Sequence, residues 1–133
     1  MNLLETVRRQ VELLNAGRPL DAFDLCFADD GIMYDNDEVF AVGKQACRAK
    51  QEPFILAAQS IEGNITRCTL DIATGVSVLR NQTSFVGADG RSTAIGGIHV
   101  QRWENGKIVE ERYYRDAMAE EKCSTDIFCG EEI

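Results

Sequence analysis

The sequence predicts an α+β fold, and three observations point to it. Helical periodicity is confined to the early chain, ending by about Leu56. From about Gln59 to Arg115 the pattern is one of long extended runs. The last two of these are joined by a tight turn at Asn105-Gly106. Helices gathered first and strands afterwards give α+β rather than alternating βαβ units. Helices laid in the concave side of a strongly curved antiparallel sheet would leave a cone-shaped cavity.

Residues 2–16 place Leu3, Leu4, Val7, Val11 and Leu14 at helical spacing, with Arg8, Arg9 and Glu12 elsewhere on the wheel. Asn2 is a cap and Glu5 stands at the capping-box position. Gly17 ends this helix and Pro19 starts a short second one, to about Phe27, with Leu20, Phe23 and Phe27 on its buried side. Ala28-Asp29-Asp30-Gly31 reads as a break, Ile32 to Asn36 as a short strand and Asp37-Glu38 as a turn. A third helix is expected from Gly43 until Pro53 ends or kinks it, with Phe54, Ile55 and Leu56 as an apolar plug.

Ser60 to Thr74 reads as a strand interrupted at Gly63-Asn64. Thr74-Gly75 turns the chain into a run from Val76 to Val86, and Ala88-Asp89-Gly90 turns it again. Arg91 to Arg115 is the closing hairpin, rich in β-branched and aromatic residues and free of proline. The domain is expected to span residues 1–116, with 117–133 an acidic C-terminal tail, mobile or loosely docked.

The chain has 133 residues, enough for one domain with a genuine core. Fourteen Lys and Arg against 22 Asp and Glu give a net charge of −8, which repels phosphate backbones and anionic membranes. Nucleic acid and membrane are therefore not expected partners, and no apolar run suggests a span or a secretory leader. The expected location is the cytoplasm. Five dispersed cysteines without CxxC spacing read as reduced thiols, the first three as core fillers. With one histidine and no clustered ligands, no metal is expected.

Four segments, in this order, resemble the NTF2-like superfamily in its SnoaL-like and ketosteroid-isomerase-like branches. They are Leu14-Asn15-Ala16-Gly17, Phe27-Ala28-Asp29-Asp30-Gly31, Gly43 opening a helix, and Trp103-Glu104-Asn105-Gly106-Lys107-Ile108-Val109. The resemblance covers residues 2–116. It implies the cone-shaped NTF2-like fold, with three N-terminal helices packed in the concave side of a curved antiparallel sheet. It also implies a homodimer and a pocket for a small apolar molecule of polyketide or steroid type. This fold hosts isomerases, dehydratases, cyclases, epoxide hydrolases and non-catalytic binding domains. The expectation is acid–base catalysis of isomerase or lyase type on an apolar carbonyl-bearing ligand, with no cofactor. The alternative is a non-catalytic ligand-binding or dimerisation module.

Within that resemblance Asp35 matches the general-base aspartate of ketosteroid isomerases, and desolvation would raise its pKa. Taken alone, Tyr34-Asp35-Asn36-Asp37 is an Asx-rich strand end, and a one-residue slip would aim Tyr34 and Asn36 inward. His99 resembles the position of the protonated acid in the isomerases' oxyanion hole. It falls in an inward alternation of Ile95, Gly97, His99 and Gln101, where Gly97 would leave room for a ligand. Alternatively, His99 is satisfied by a cross-strand partner or faces outward.

The turn decides which residues face His99. A three-residue loop pairs it with Glu111, and a two-residue turn pairs it with Arg112. Tyr113 stands where SnoaL-like cyclases and limonene epoxide hydrolases keep a catalytic aspartate, and tyrosine can still donate to an oxyanion. Arg80 resembles the epoxide hydrolases' pocket arginine, and Gln82 falls at their second aspartate, so the water-activating machinery is not expected. Met33, Phe54, Phe85, Ile95 and Trp103 are core or ligand wall. Ile32, Ile98, Val100 and Tyr114 are expected to form an apolar convex face for a second subunit.

Overall fold

The computed structural model describes residues 1–133. Helix α1 (Leu3–Asn15) is capped by Asn2, whose Oδ1 accepts from the Glu5 amide at 2.9 Å. Helix α2 spans Pro19–Cys26, and strand β1 (Phe27–Asp35) follows it directly. The expected break at Ala28–Gly31 is thus part of a strand. Six β1 residues, from Phe27 to Ile32, lie against only three on the neighbouring strand, Ile108 to Glu110, so the slack is taken up in an irregular stretch.

Strand β2 (Glu38–Val42) leads into α3 (Lys44–Ala57). This helix continues through Pro53 rather than ending there. Proline forfeits a single intrahelical bond, and the last turn is held by Phe54 packing edge-on against Phe85 with ring centroids 4.9 Å apart. Strands β3 (Ser60–Glu62) and β4 (Ile65–Asp71) are separate, as Gly63-Asn64 suggests. Strand β5 (Val76–Val86) pairs with β4 along its first half and with β3 at its end. Strand β6 (Ser92–Glu104) pairs with all of β5. Strand β7 (Lys107–Arg115) completes the hairpin. With the short strand β8 (Glu131–Glu132) at one edge, the order β2-β1-β7-β6-β5-β4-β8 is antiparallel except for β1 beside β7.

The hairpin register differs from both expected alternatives. Asn105 and Gly106 form a two-residue turn with φ of 51° and 74°, and Glu104 pairs with Lys107. Val109 is then an extra residue on β7, so Trp103 faces Ile108 but Arg102 faces Glu110. Because of this bulge His99 pairs with Tyr113 and Gln101 with Glu111. The inward parity of β7 switches from Ile108 to Glu111, Tyr113 and Arg115.

The core joins Val7, Phe23, Phe27, Leu70, Leu79, Trp103 and Ile108 with the thiols of Cys26, Cys47 and Cys68. The acidic tail is built into the domain. Helix α4 (Asp116–Cys123) lies on β6 and β7, and strand β8 (Glu131–Glu132) pairs with β4. Two of its charged side chains are partnered: Glu132 meets Arg67 at 2.7 Å, and Lys122 sits over the Tyr114 ring. Ile98 and Tyr114, expected to face a second subunit, are 1% and 5% exposed in the single chain. No helix is long and apolar enough to cross a membrane.

Candidate functional site

A cavity of about 460 Å³ opens between the helices and the concave side of the sheet. Its size falls in the range of about 300–1,000 Å³ usual for small-molecule sites. Strand alternation supplies its floor: Asn81, Thr83 and Phe85 from β5, Ile95 and His99 from β6, and Tyr113 and Arg115 from β7. Gln51, Phe54 and Ile55 of α3 form a wall, and Phe40 and Lys50 flank the mouth. Below His99 a narrower recess of about 90 Å³ reaches Met33, Gln101 and Glu111.

A chain of side-chain contacts runs from the core to His99. Trp103 Nε1 donates to Ser77 Oγ at 2.8 Å, and Ser77 Oγ donates to Gln101 Oε1 at 2.9 Å. Gln101 Nε2 then donates to Glu111 Oε2 at 2.6 Å. The other carboxylate oxygen, Oε1, stands 3.5 Å from His99 Nδ1. That contact is an ion-pair distance rather than a closed hydrogen bond, and Nδ1 has no other partner. The ring nitrogen left for a ligand is therefore Nε2. Burial works to raise the Glu111 pKa, but His99 and then Gln101 more than offset it, and the carboxyl lies below its ordinary range.

Tyr113 packs beside His99, with ring centroids 4.6 Å apart and planes tilted by 51°. Burial pushes its phenol above the ordinary range despite the opposing Asn81 amide, so it is a hydrogen donor at neutral pH. Asn81 is buried, and its Oδ1 has no partner. Such an orphaned acceptor beside a cavity is satisfied by a donor on a bound molecule or by water.

The structure brings together His99, Tyr113, Ile95 and Phe54 in the cavity, and Met33, Gln101 and Glu111 in the recess beneath. Other candidates lie elsewhere. Asp35 does not line the cavity: Arg115 grips it with Nε to Oδ1 at 3.0 Å and Nη2 to Oδ2 at 3.1 Å. Arg80 and Gln82 are on the convex side with α4, because the inward parity of β5 is odd-numbered. Tyr34 lies outside the cavity, its ring stacked under the Arg112 guanidinium. Trp103 is 5% exposed and belongs to the core. Gly97 makes room for a side chain rather than a ligand, since a Cβ there would come within 2.4 Å of the Tyr113 ring.

Asn81, Thr83, Gln51, Lys50 and Arg115, which no sequence motif singles out, also line the cavity. Period-2 alternation anchored on buried Leu79 would have selected Asn81 and Thr83. Arg115 was hidden by the bulge at Val109.

The sequence matches the SnoaL-like domain over residues 7–111, and the chain belongs to that family. Solved structures share its NTF2-like fold. An NTF2-like protein of unknown function from Burkholderia pseudomallei is 19% identical, with a TM-score of 0.70 over 93% of this chain and 96% of that one. Another, from Exiguobacterium sp. 255-15, is 22% identical, with a TM-score of 0.67 over 84% of this chain and 98% of its own. An LEH-like epoxide hydrolase from M. tuberculosis is 15% identical, with a TM-score of 0.67 over 90% of this chain and 86% of its own. No curated protein matches the sequence.

Proposed function

We propose that this SnoaL-like protein binds a small, largely apolar, carbonyl-bearing molecule and moves a proton on it without a cofactor. The observation that supports this reading is the buried Glu111 carboxylate, 3.5 Å from His99 Nδ1, beneath an apolar cavity. Glu111 favours the imidazole tautomer with its proton on Nδ1 and stabilises the imidazolium formed on protonation. Nε2 then accepts a proton from the carbon next to the carbonyl, and the Tyr113 hydroxyl donates to the developing enolate oxygen. Returning the proton to another carbon is isomerisation, and expelling a β-substituent is elimination. The base is thus His99 rather than Asp35, whose carboxylate is engaged by Arg115 at the rim. The polyketide or steroid type of ligand rests on the family resemblance alone.

The placement of Asp35 away from the cavity also favours a second reading, a pocket that binds without reacting. Deuterium incorporation at the α-carbons of benzylacetone in D₂O separates the two. The catalytic reading expects accelerated exchange that His99→Ala abolishes, Tyr113→Phe slows by about 10²-fold and Asp35→Asn leaves intact. Saturable binding without exchange would leave the non-catalytic reading. A homodimer would use what α4 leaves of the convex face, where Ile32 and Val100 are half-buried.

A further inference from the structure

The cavity lining carries a charge pattern opposite to that of the whole chain. The protein has 22 Asp and Glu, yet none of the 17 residues lining the cavity is acidic. Two of them are cationic, Lys50 of α3 and Arg115 at the end of β7. Both belong to the side of the mouth made by β2, β1 and β7. Lys50 Nζ donates to the Phe40 carbonyl of β2 at 2.6 Å, and Arg115 is bound to Asp35 at the end of β1. The rest of the lining is largely hydrocarbon, with Phe54, Ile61, Phe85 and Ile95 among it.

The two cations are not equivalent. Arg115 is already neutralised, by the fork on Asp35 and by Asp116 at 3.0 Å. Lys50 makes no ion pair; beyond the Phe40 carbonyl it has only the Phe40 ring, 4.9 Å away. The lining therefore presents one uncompensated positive charge at the edge of an apolar chamber, within a chain of net charge −8. An ammonium there gains by exchanging water for an anion, and the apolar wall beside it strengthens the attraction.

We infer that the ligand is an amphipathic monoanion, a carboxylate whose charged end rests on Lys50 while its apolar body fills the cavity towards His99. A single free cation matches a single charge. A phosphate dianion would need a second free cation, and Asp35 holds the only other one in the lining. The inference rests on reading the cavity as a small-molecule site. It adds a charge requirement that the proton-transfer chemistry does not itself need.

The test compares hydrocinnamate with its neutral amide, hydrocinnamamide, by calorimetric titration at low and high salt. The expected result is about fivefold tighter binding of the carboxylate at low salt, the reach of one partly exposed ion pair. Added salt shrinks the advantage, and Lys50→Gln brings the carboxylate's affinity down to that of the amide. Equal binding of the two compounds by the unaltered protein would overturn the charge requirement and leave the pocket standing. Binding of neither compound up to millimolar concentration would overturn both. An advantage for the carboxylate that survives Lys50→Gln would overturn the assignment to Lys50.

Discussion

Glu111 and His99 meet diagonally across the β6–β7 pair, with Oε1 3.5 Å from Nδ1, because Val109 is an extra residue on β7. Without that bulge the inward parity set by Ile108 would place Arg112 and Tyr114 on the concave side. With it, an acid, a phenol and a guanidinium enter the cone, and Arg112 and Tyr114 face outward with Asp37 between them. One backbone irregularity therefore selects the polar groups of the cavity floor.

The Glu111 carboxylate ionises more readily in the folded chain than an ordinary glutamate, with His99 and Gln101 offsetting its burial. Its stabilising contribution is complete above the usual glutamate pKa of about 4.3. It is lost as pH falls from there through the depressed folded value. Glu111→Gln should cost about 1–3 kcal/mol at neutral pH. The difference in Tm between the parent and this variant should narrow on acidification below the ordinary range. A difference that widens on acidification would show that His99 does not hold the carboxylate ionised.

Gly97→Ala should displace Tyr113, because the new methyl would lie 2.4 Å from its ring atoms. The clash should cost about 1–3 kcal/mol, read from the midpoint of urea unfolding. Adding Tyr113→Ala should relieve it, so the double variant should be more stable than the sum of the single effects implies. Strict additivity would mean that the two residues do not compete for space.

The helices and most strand limits were legible because their signals are local. The Asn2 cap, the Pro19 start and the Val76–Val86 run each declare themselves within a few residues. The site was less legible because it depends on parity. Asn81 and Thr83 were missed, and Arg80 and Gln82 chosen, by a slip of one residue on β5. Nothing in the residues around Val109 announces a bulge, and Asp35 was drawn to Arg115, a partner 80 positions away that no local pattern reveals.

The C-terminal residues hid their role for a similar reason. Ala119 is the only buried residue of α4, and the helix lies on β6 and β7, the strands that carry the buried Ile98 and Tyr114. Ending the chain after Arg115 should uncover both, lower the Tm and promote self-association through the newly exposed apolar strip. Sedimentation velocity would measure the association. A shortened chain with unchanged Tm and sedimentation would show that the helix adds nothing to the domain.

Thiol reactivity should divide the five cysteines by the same architecture. Burial pushes the Cys26 thiol up to about 12 and, together with nearby Glu132, the Cys68 thiol up to about 11. Burial raises Cys47 as well, and its Sγ donates to the Ala41 carbonyl at 3.4 Å. The thiolate is the reacting species, so these three should resist Ellman's reagent in the folded protein. Cys123 and Cys129 are partly exposed and should react first. Two equivalents should therefore appear promptly and the remaining three only on unfolding in guanidinium. Early reaction of Cys26 or Cys47, identified by peptide mapping, would mean that the helices lift from the sheet, since both thiols belong to the core between them.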